Sequence, residues 1–126
     1  AEWEYAARAG TASRYHWGDK PGSGNANCHG CGSQWDKKST APVGSFAGNR
    51  FGIHDVHGNV WEWCMQKNAS KHTTQRIVRG GSWMNYLVHA KCIFRNSFDP
   101  AERHLAVGLR CVEGPRFTEI DDEDDE

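Results

Sequence analysis

Six tryptophans set the terms on which this chain folds. Only 37% of the 126 residues are hydrophobic and the mean hydropathy is −0.78, so an aliphatic core would be thin. Six Trp, five Phe and three Tyr compensate, because each buried aromatic side chain removes roughly 150–250 Å² from water. The 14 Gly imply many turns. These features predict one loop-rich domain pinned by Trp side chains.

The formal net charge of −1 conceals an asymmetry. Residues 119–126 read EIDDEDDE and hold seven of the 16 acids, which leaves 15 Lys and Arg against nine acids elsewhere. Such a run repels itself and has little to bury, so a domain over 1–118 followed by an acidic disordered tail over 119–126 is expected. The tail is read as solubilising; the alternative is a segment that folds back on a basic groove. The basic residues are scattered, which argues against a nucleic-acid partner. No apolar run is long enough to span a membrane and no signal-peptide pattern is present. The opening AEWEYAARAG reads as the interior of an element, so the start of a longer parent is expected to be missing.

Five Cys are an odd number. Cys28-His29-Gly30-Cys31 is a CxxC, but a zinc site needs about four ligands, usually two such pairs. Cys64, Cys92 and Cys111 are isolated. A disulfide or buried thiols are therefore favoured over zinc, and the compartment decides between them.

Residues 2–9 read as a helix: Trp3, Ala6 and Ala7 form an apolar stripe, Glu2 and Glu4 suit its start, and Gly10 its end. Residues 11–41 read as loop anchored by Tyr15 and Trp17, and 41–46 as a short extended piece. In 51–64 an alternating pattern surrounds a Gly58-Asn59 turn. Residues 76–83 read as a strand that breaks at Gly80-Gly81, and 107–112 as a final strand. Between them, 84–106 has no clean period.

Trp61 and Trp63 lie two apart and so face one side of a strand, with Glu62 on the other. An acid beside two large aromatics needs a partner. Asp55, Glu62 and carbonyls of the intervening turn could supply hard oxygen ligands for calcium, which takes roughly six to eight; the alternative is an ion pair of Glu62 with Arg79 or Arg110. Arg79-Gly80-Gly81-Ser82-Trp83 lacks the Lys-Ser/Thr that a phosphate-cradling loop uses. The seven His show no HExxH spacing, and no nucleophile elbow is present.

Several segments together resemble the formylglycine-generating-enzyme (sulfatase-modifying-factor) family: AEWEYAARAG at 1–10, YHWGD at 15–19, ANCHGCGSQWD at 26–36, TAPVGSF at 40–46, FGIHDVHGNVWEWC at 51–64, RIVRGGSW at 76–83 and GLRC at 108–111. GNVWEW followed by RGGSW is the most specific pairing. The resemblance implies an α+β, C-type-lectin-like fold with little regular structure, and strands that precede the first helix in the family. It also implies a calcium site made by the side chains of Asp55 and Glu62 and the carbonyls of Gly58 and Val60. A second calcium site would draw on Asn27 and Asp36.

The family's oxygen-dependent enzymes hold copper on two Cys shortly after the RGGS motif. Those positions fall here on Asn85 and on Ala90 or Leu87, while Cys92 stands nearby alone. Two thiolates make that copper site, so copper and formylglycine chemistry are not expected, and no catalytic residue is assigned. The sulfoxide-synthase branch takes its iron ligands mainly from another domain and is not expected either.

Residues 76–110 resemble a third branch, the variable proteins of diversity-generating retroelements. The shared frame is Arg79 to Trp83, Arg95, Asp99-Pro100, Arg103 and Gly108-Leu109-Arg110. Where relatives often carry Asn, this chain has Tyr86, His89, Phe94, Phe98, His104, Leu105 and Ala106, all reachable by mutating the adenines of an AAC codon. Met84 is not reachable in that way. Tyr, His and Phe on a rigid scaffold give contact area at low rotamer cost. The resemblance therefore implies a non-catalytic module that binds a protein or other macromolecular ligand through Met84, Tyr86, His89, Phe94, Asn96, Phe98, Glu102, His104 and Leu105. The alternative is that Phe94, Phe98 and Leu105 fill core, and about half of the variable positions are expected to be exposed. A surface or secreted location follows if the retroelement reading holds. The other readings are a formylglycine-type oxidoreductase and a structural domain of a larger protein.

Overall fold

The computed structural model describes residues 2–64 and 75–111. The acidic tail expected over 119–126 and residues 112–118 lie outside the described residues.

The chain opens with helix α1, Glu2–Arg8, one residue shorter than the pattern predicts. Glu2 and Glu4 sit in its first turn and Arg8 in its last, each complementing the helix dipole. Glu4 and Arg8 pair at 2.8 Å. The helix stops where Ala9 and Gly10 turn to positive φ. Its inner face carries Ala7, which packs against Val56 and Cys92 with Trp3 alongside.

Among the described residues, four short strands form one sheet in the order β3-β2-β1-β4. They are β1 (Trp61–Trp63), β2 (Arg76–Arg79), β3 (Asn96–Phe98) and β4 (Val107–Gly108). β1 runs antiparallel to β2, with Glu62 opposite Arg79 and Trp63 opposite Val78. It runs parallel to β4, with Trp61 opposite Val107. β2 pairs antiparallel with β3, placing Arg76 opposite Phe98. The strand alternation gives the sheet two different faces. On one, Trp61, Val78 and Ala106 form a core with Trp63, Trp83, Phe94 and Phe98 packed around it. On the other, Glu62 and Arg79 are buried beneath α1: the Trp3 indole N–H donates to Glu62, and Arg79 pairs with Glu4 at 2.9 Å.

The predicted Gly58-Asn59 turn is the knot of the fold. Both residues have positive φ. Asn59 N–H donates to the Asn27 carbonyl, and Asn59 C=O accepts from Trp83 N–H. The Asn59 carboxamide accepts from Ala41 N–H at 2.8 Å. One turn thus ties the 26–41 loop to RGGSW. Tyr15 is buried and stacks on Trp17 at 5.0 Å, as the anchor reading required.

Three expectations are corrected. Residues 41–46 form no strand. The 84–106 stretch contains a 3-10 turn, Leu87–Ala90, and strand β3. The last strand is two residues long where 107–112 was expected, and residue 112 lies outside the described residues. Each segment is held by distant partners and not by local alternation: Ala41 and Gly44 bond to Asn59 and Asp55, Leu87 packs on the Cys28–Cys31 bridge, and Phe98 and Val107 pack on Trp61.

Candidate functional site

The aromatic face of the sheet opens into a cleft of about 300 Å³. Trp61 from β1 and Phe98 from β3 form its floor, with ring centroids 6.1 Å apart in an edge-on arrangement. Met84 and Leu105 flank it, and both are exposed. Its polar groups are Ser82, Asn85, Arg103 and His104.

Local backbone places these groups. Gly80 and Gly81 both have positive φ and turn the chain out of β2. Gly81 lies against Ala90 so closely that a Cβ there would meet its Cα and Cβ. Ser82 Oγ donates to Asn85 Oδ1, and the Asn85 N–H closes the turn onto the Ser82 carbonyl. At the far wall, the His104 ring lies 4.5 Å from Phe98 and its Nε2 is 3.5 Å from the Glu102 carboxylate. That geometry is too loose for a hydrogen bond, and His104 Nε2 is buried without one.

Tyr86 projects beside the cleft, 60% exposed. Its ring stacks on His29 at 4.3 Å, and His29 N–H donates to the Asn85 carbonyl. His29 belongs to the CxxC, whose Cys28 and Cys31 form a disulfide. That resolves the pair left open in the sequence in favour of the bridge. Both Cys are buried against Trp17 and Leu87, so the bridged loop buttresses the 84–87 segment. Cys92 is a buried thiol and Cys111 an exposed one.

The nine candidate binding residues separate by depth. Met84, Tyr86, Asn96, Glu102 and Leu105 are exposed, whereas His89, Phe94, Phe98 and His104 are half-buried. Phe94 and Phe98 pack on the Trp61 core. Leu105 is 86% exposed, so of the three residues that might have been core, two are and one is not. Of the seven variable positions, only Tyr86 and Leu105 are exposed and Ala106 is buried, fewer than the half expected. The cleft gathers Met84, Phe98, His104 and Leu105; the others lie outside its lining. Sequence reasoning missed Trp61, Ser82, Asn85 and Arg103 as cleft residues. The signal for Asn85 was its place at the family's first catalytic Cys, and for Arg103 its place in the shared frame.

The proposed calcium ligands have other partners. Arg110 donates to both oxygens of Glu62, at 3.0 and 3.1 Å, and Trp3 donates to one of them. Of the two arginines considered for Glu62, the structure selects Arg110. Burial raises the Glu62 pKa, and the Arg110 hydrogen bond and charge oppose that shift. Asp55 accepts from Gly44 N–H through one oxygen, and its other oxygen is buried without a partner. That orphaned oxygen suits a cation, but Glu62 is neutralised by Arg110, so the set as arranged does not fit calcium. At the second position, Asp36 accepts from Gly32, Ser33 N–H and Ser33 Oγ, and Asn27 donates to Ser39 C=O and Asn59. These donors stabilise their own loop.

A buried His was not predicted at all. His57 accepts from His16 N–H through Nε2, which leaves Nδ1 as the donor to the Ala90 carbonyl. Burial holds its pKa down at about 4, against an ordinary 6.5. The unfolded chain therefore takes the proton first as pH falls. The stabilising contribution is complete above about pH 6.5 and declines by about 3 kcal/mol as pH falls to about 4. Acid melting curves of the chain and of His57→Gln should show it: the variant is expected to lose less stability across that window.

The family pattern described as "Sulfatase-modifying factor enzyme 1-like domain" matches residues 1–115. The formylglycine-generating enzyme of Streptomyces coelicolor is 33% identical over 94% of this chain and 46% of its own length. The inactive C-alpha-formylglycine-generating enzyme 2 of Bos taurus is 32% identical over 90% of this chain and 42% of its own. The chain thus spans less than half the length of these relatives. Among solved structures, Treponema denticola variable protein 1 superposes with a TM-score of 0.69 at 26% identity, covering 86% of this chain and 43% of that one.

Proposed function

Because the chain belongs to the sulfatase-modifying factor enzyme 1-like family, and has Asn85 and Ala90 or Leu87 at the positions that the resemblance assigns to the copper-binding cysteines of the oxygen-dependent enzymes, we propose that it is a non-catalytic ligand-binding module. The ligand is a protein or other macromolecule. It meets the exposed edge formed by Met84, Tyr86, Asn96, Glu102 and Leu105 and enters the cleft above Trp61 and Phe98. One observation carries this reading: large apolar side chains at 84, 86, 88, 93 and 105 stand in solvent on a segment that Phe94, Phe98 and Ala106 anchor to the Trp61 core. Exposed apolar groups clustered around a cleft mark binding sites. The likeness to a variable protein supports the further reading that the segment is diversified.

Sequencing of codons 84–106 across a population grown from one cell tests that reading. Scattered changes at Tyr86, His89, Phe94, Phe98, His104 and Leu105, with Arg95, Pro100 and Gly108 constant, are expected. A uniform sequence would remove diversification from the account. A formylglycine-type oxidase is the second reading, favoured by the names of the curated relatives. Aldehyde formed from a CxPxR peptide with copper and oxygen would establish it.

Calcium enters the proposal as an exchange. A cation held by Asp55, Glu62 and the carbonyls of Gly58 and Val60 must first displace Arg110 from Glu62. Calcium is therefore expected to leave the melting temperature of the chain unchanged and to raise that of Arg110→Ala, in which Glu62 is released. A rise in both would show that the cation outcompetes Arg110.

A further inference from the structure

Within the binding surface, the cleft has a chemistry of its own. Its floor is the half-buried Phe98 ring backed by the buried Trp61, and its one formal charge is Arg103. No Asp or Glu is among the described residues that line it. Arg103 is exposed and makes no hydrogen bond or ion pair with another described residue. The acids nearest in sequence are turned to other partners: Asp99 caps the Ala101 N–H and Glu102 faces His104. A guanidinium with no carboxylate partner among the described residues, beside an apolar floor, is complementary to a planar anion attached to an apolar body. Its paired N–H donors match a carboxylate in a way that a point charge does not. Ser82 and Asn85 add polar groups to the lining. The volume of about 300 Å³ lies at the small end for ligand sites and has room for one ring and its acid group.

We propose that this cleft binds an apolar group carrying a carboxylate, with the apolar group against Phe98, which the buried Trp61 backs, and the carboxylate on Arg103. The proposal rests on the reading of 84–106 as the binding face. The carboxylate is either that of a free aromatic acid or the C-terminus of a peptide ending in an apolar residue.

Calorimetric titration of the full chain with phenylacetate, phenylacetamide, N-acetylphenylalanine and N-acetylphenylalaninamide tests it. Each acid is expected to bind at least about tenfold more tightly than its amide, since a hydrogen bond to a charged group contributes roughly 1.5–3 kcal/mol. Arg103→Gln should bring acid and amide together without moving the melting temperature, and Arg103→Lys should restore part of the difference. Tighter binding of N-acetylphenylalanine than of phenylacetate assigns the site to a chain terminus; equal binding assigns it to a free acid. Acid and amide binding alike, neither binding, or an unchanged preference in Arg103→Gln would overturn the proposal. Tyr86→Ala lies outside the cleft lining and should leave these titrations unchanged while weakening a macromolecular ligand, so failure of this proposal and failure of the binding-face reading are read separately.

Discussion

Trp61→Ala is expected to lower the unfolding free energy by about 3–5 kcal/mol, out of the roughly 5–15 kcal/mol typical of a domain. The reason lies in how little else the core contains. Trp61 is 2% exposed, touches Val78 and Ala106, and supplies the ring on which Phe94 and Phe98 rest. Its backbone N–H also donates to the Ala106 carbonyl, holding β4 beside β1. With so few aliphatic side chains nearby, no neighbour can collapse into the space it leaves. Denaturant titration should show the midpoint falling with little change in slope. Trp61→Phe should retain most of the stability, and a small effect of Trp61→Ala would mean the core lies elsewhere.

The second large effect is at the Gly58-Asn59 turn. Gly58→Ala is expected to cost about 3 kcal/mol or more. Its φ of +76° is disfavoured for any residue with a Cβ, which accounts for roughly 1–2 kcal/mol. The remainder is steric. A Cβ on Gly58 would land on the Asn27 carbonyl, the same oxygen that accepts from Asn59 N–H. Backbone on both sides cannot swing aside as a flexible side chain can. Gly52 supplies the control: its φ is +75°, and nothing lies within 4 Å of the Cβ position. Gly52→Ala should therefore cost only the conformational part. Thermal melts of both variants separate the two contributions, and equal losses would contradict the collision.

The contrast between these residues shows what the sequence made legible. Gly58-Asn59 announced a turn because Gly and Asn are the residues that tolerate positive φ. The helix was legible because its stripe, its acidic first turn and its Gly stop agree. Glu62 was recognised as needing a partner, but Arg79 and Arg110 could not be ranked. Each lies far along the chain, and only the sheet register puts Arg79 under Glu4 and frees Arg110 for Glu62. Phe94 and Phe98 read equally well as surface or core, because residue type fixes neither; the pairing of β3 with β2 turns Phe98 onto Trp61. The cleft itself had no sequence signature. Its lining comes from β1, the turn after β2, β3 and the approach to β4, and meets only in the folded sheet.

In the proposed binding mode the cleft side of the 84–106 segment, and not the opposite surface, receives a macromolecular ligand. A photo-crosslinking residue placed in turn at Met84, Leu105 and Val43 tests it in the source cell. Val43 is 90% exposed and lies outside the segment, so it serves as the reference. One discrete adduct is expected, shared by positions 84 and 105, absent from position 43 and lost in Tyr86→Ala. No adduct at 84 and 105, or the same products from all three positions, would contradict it.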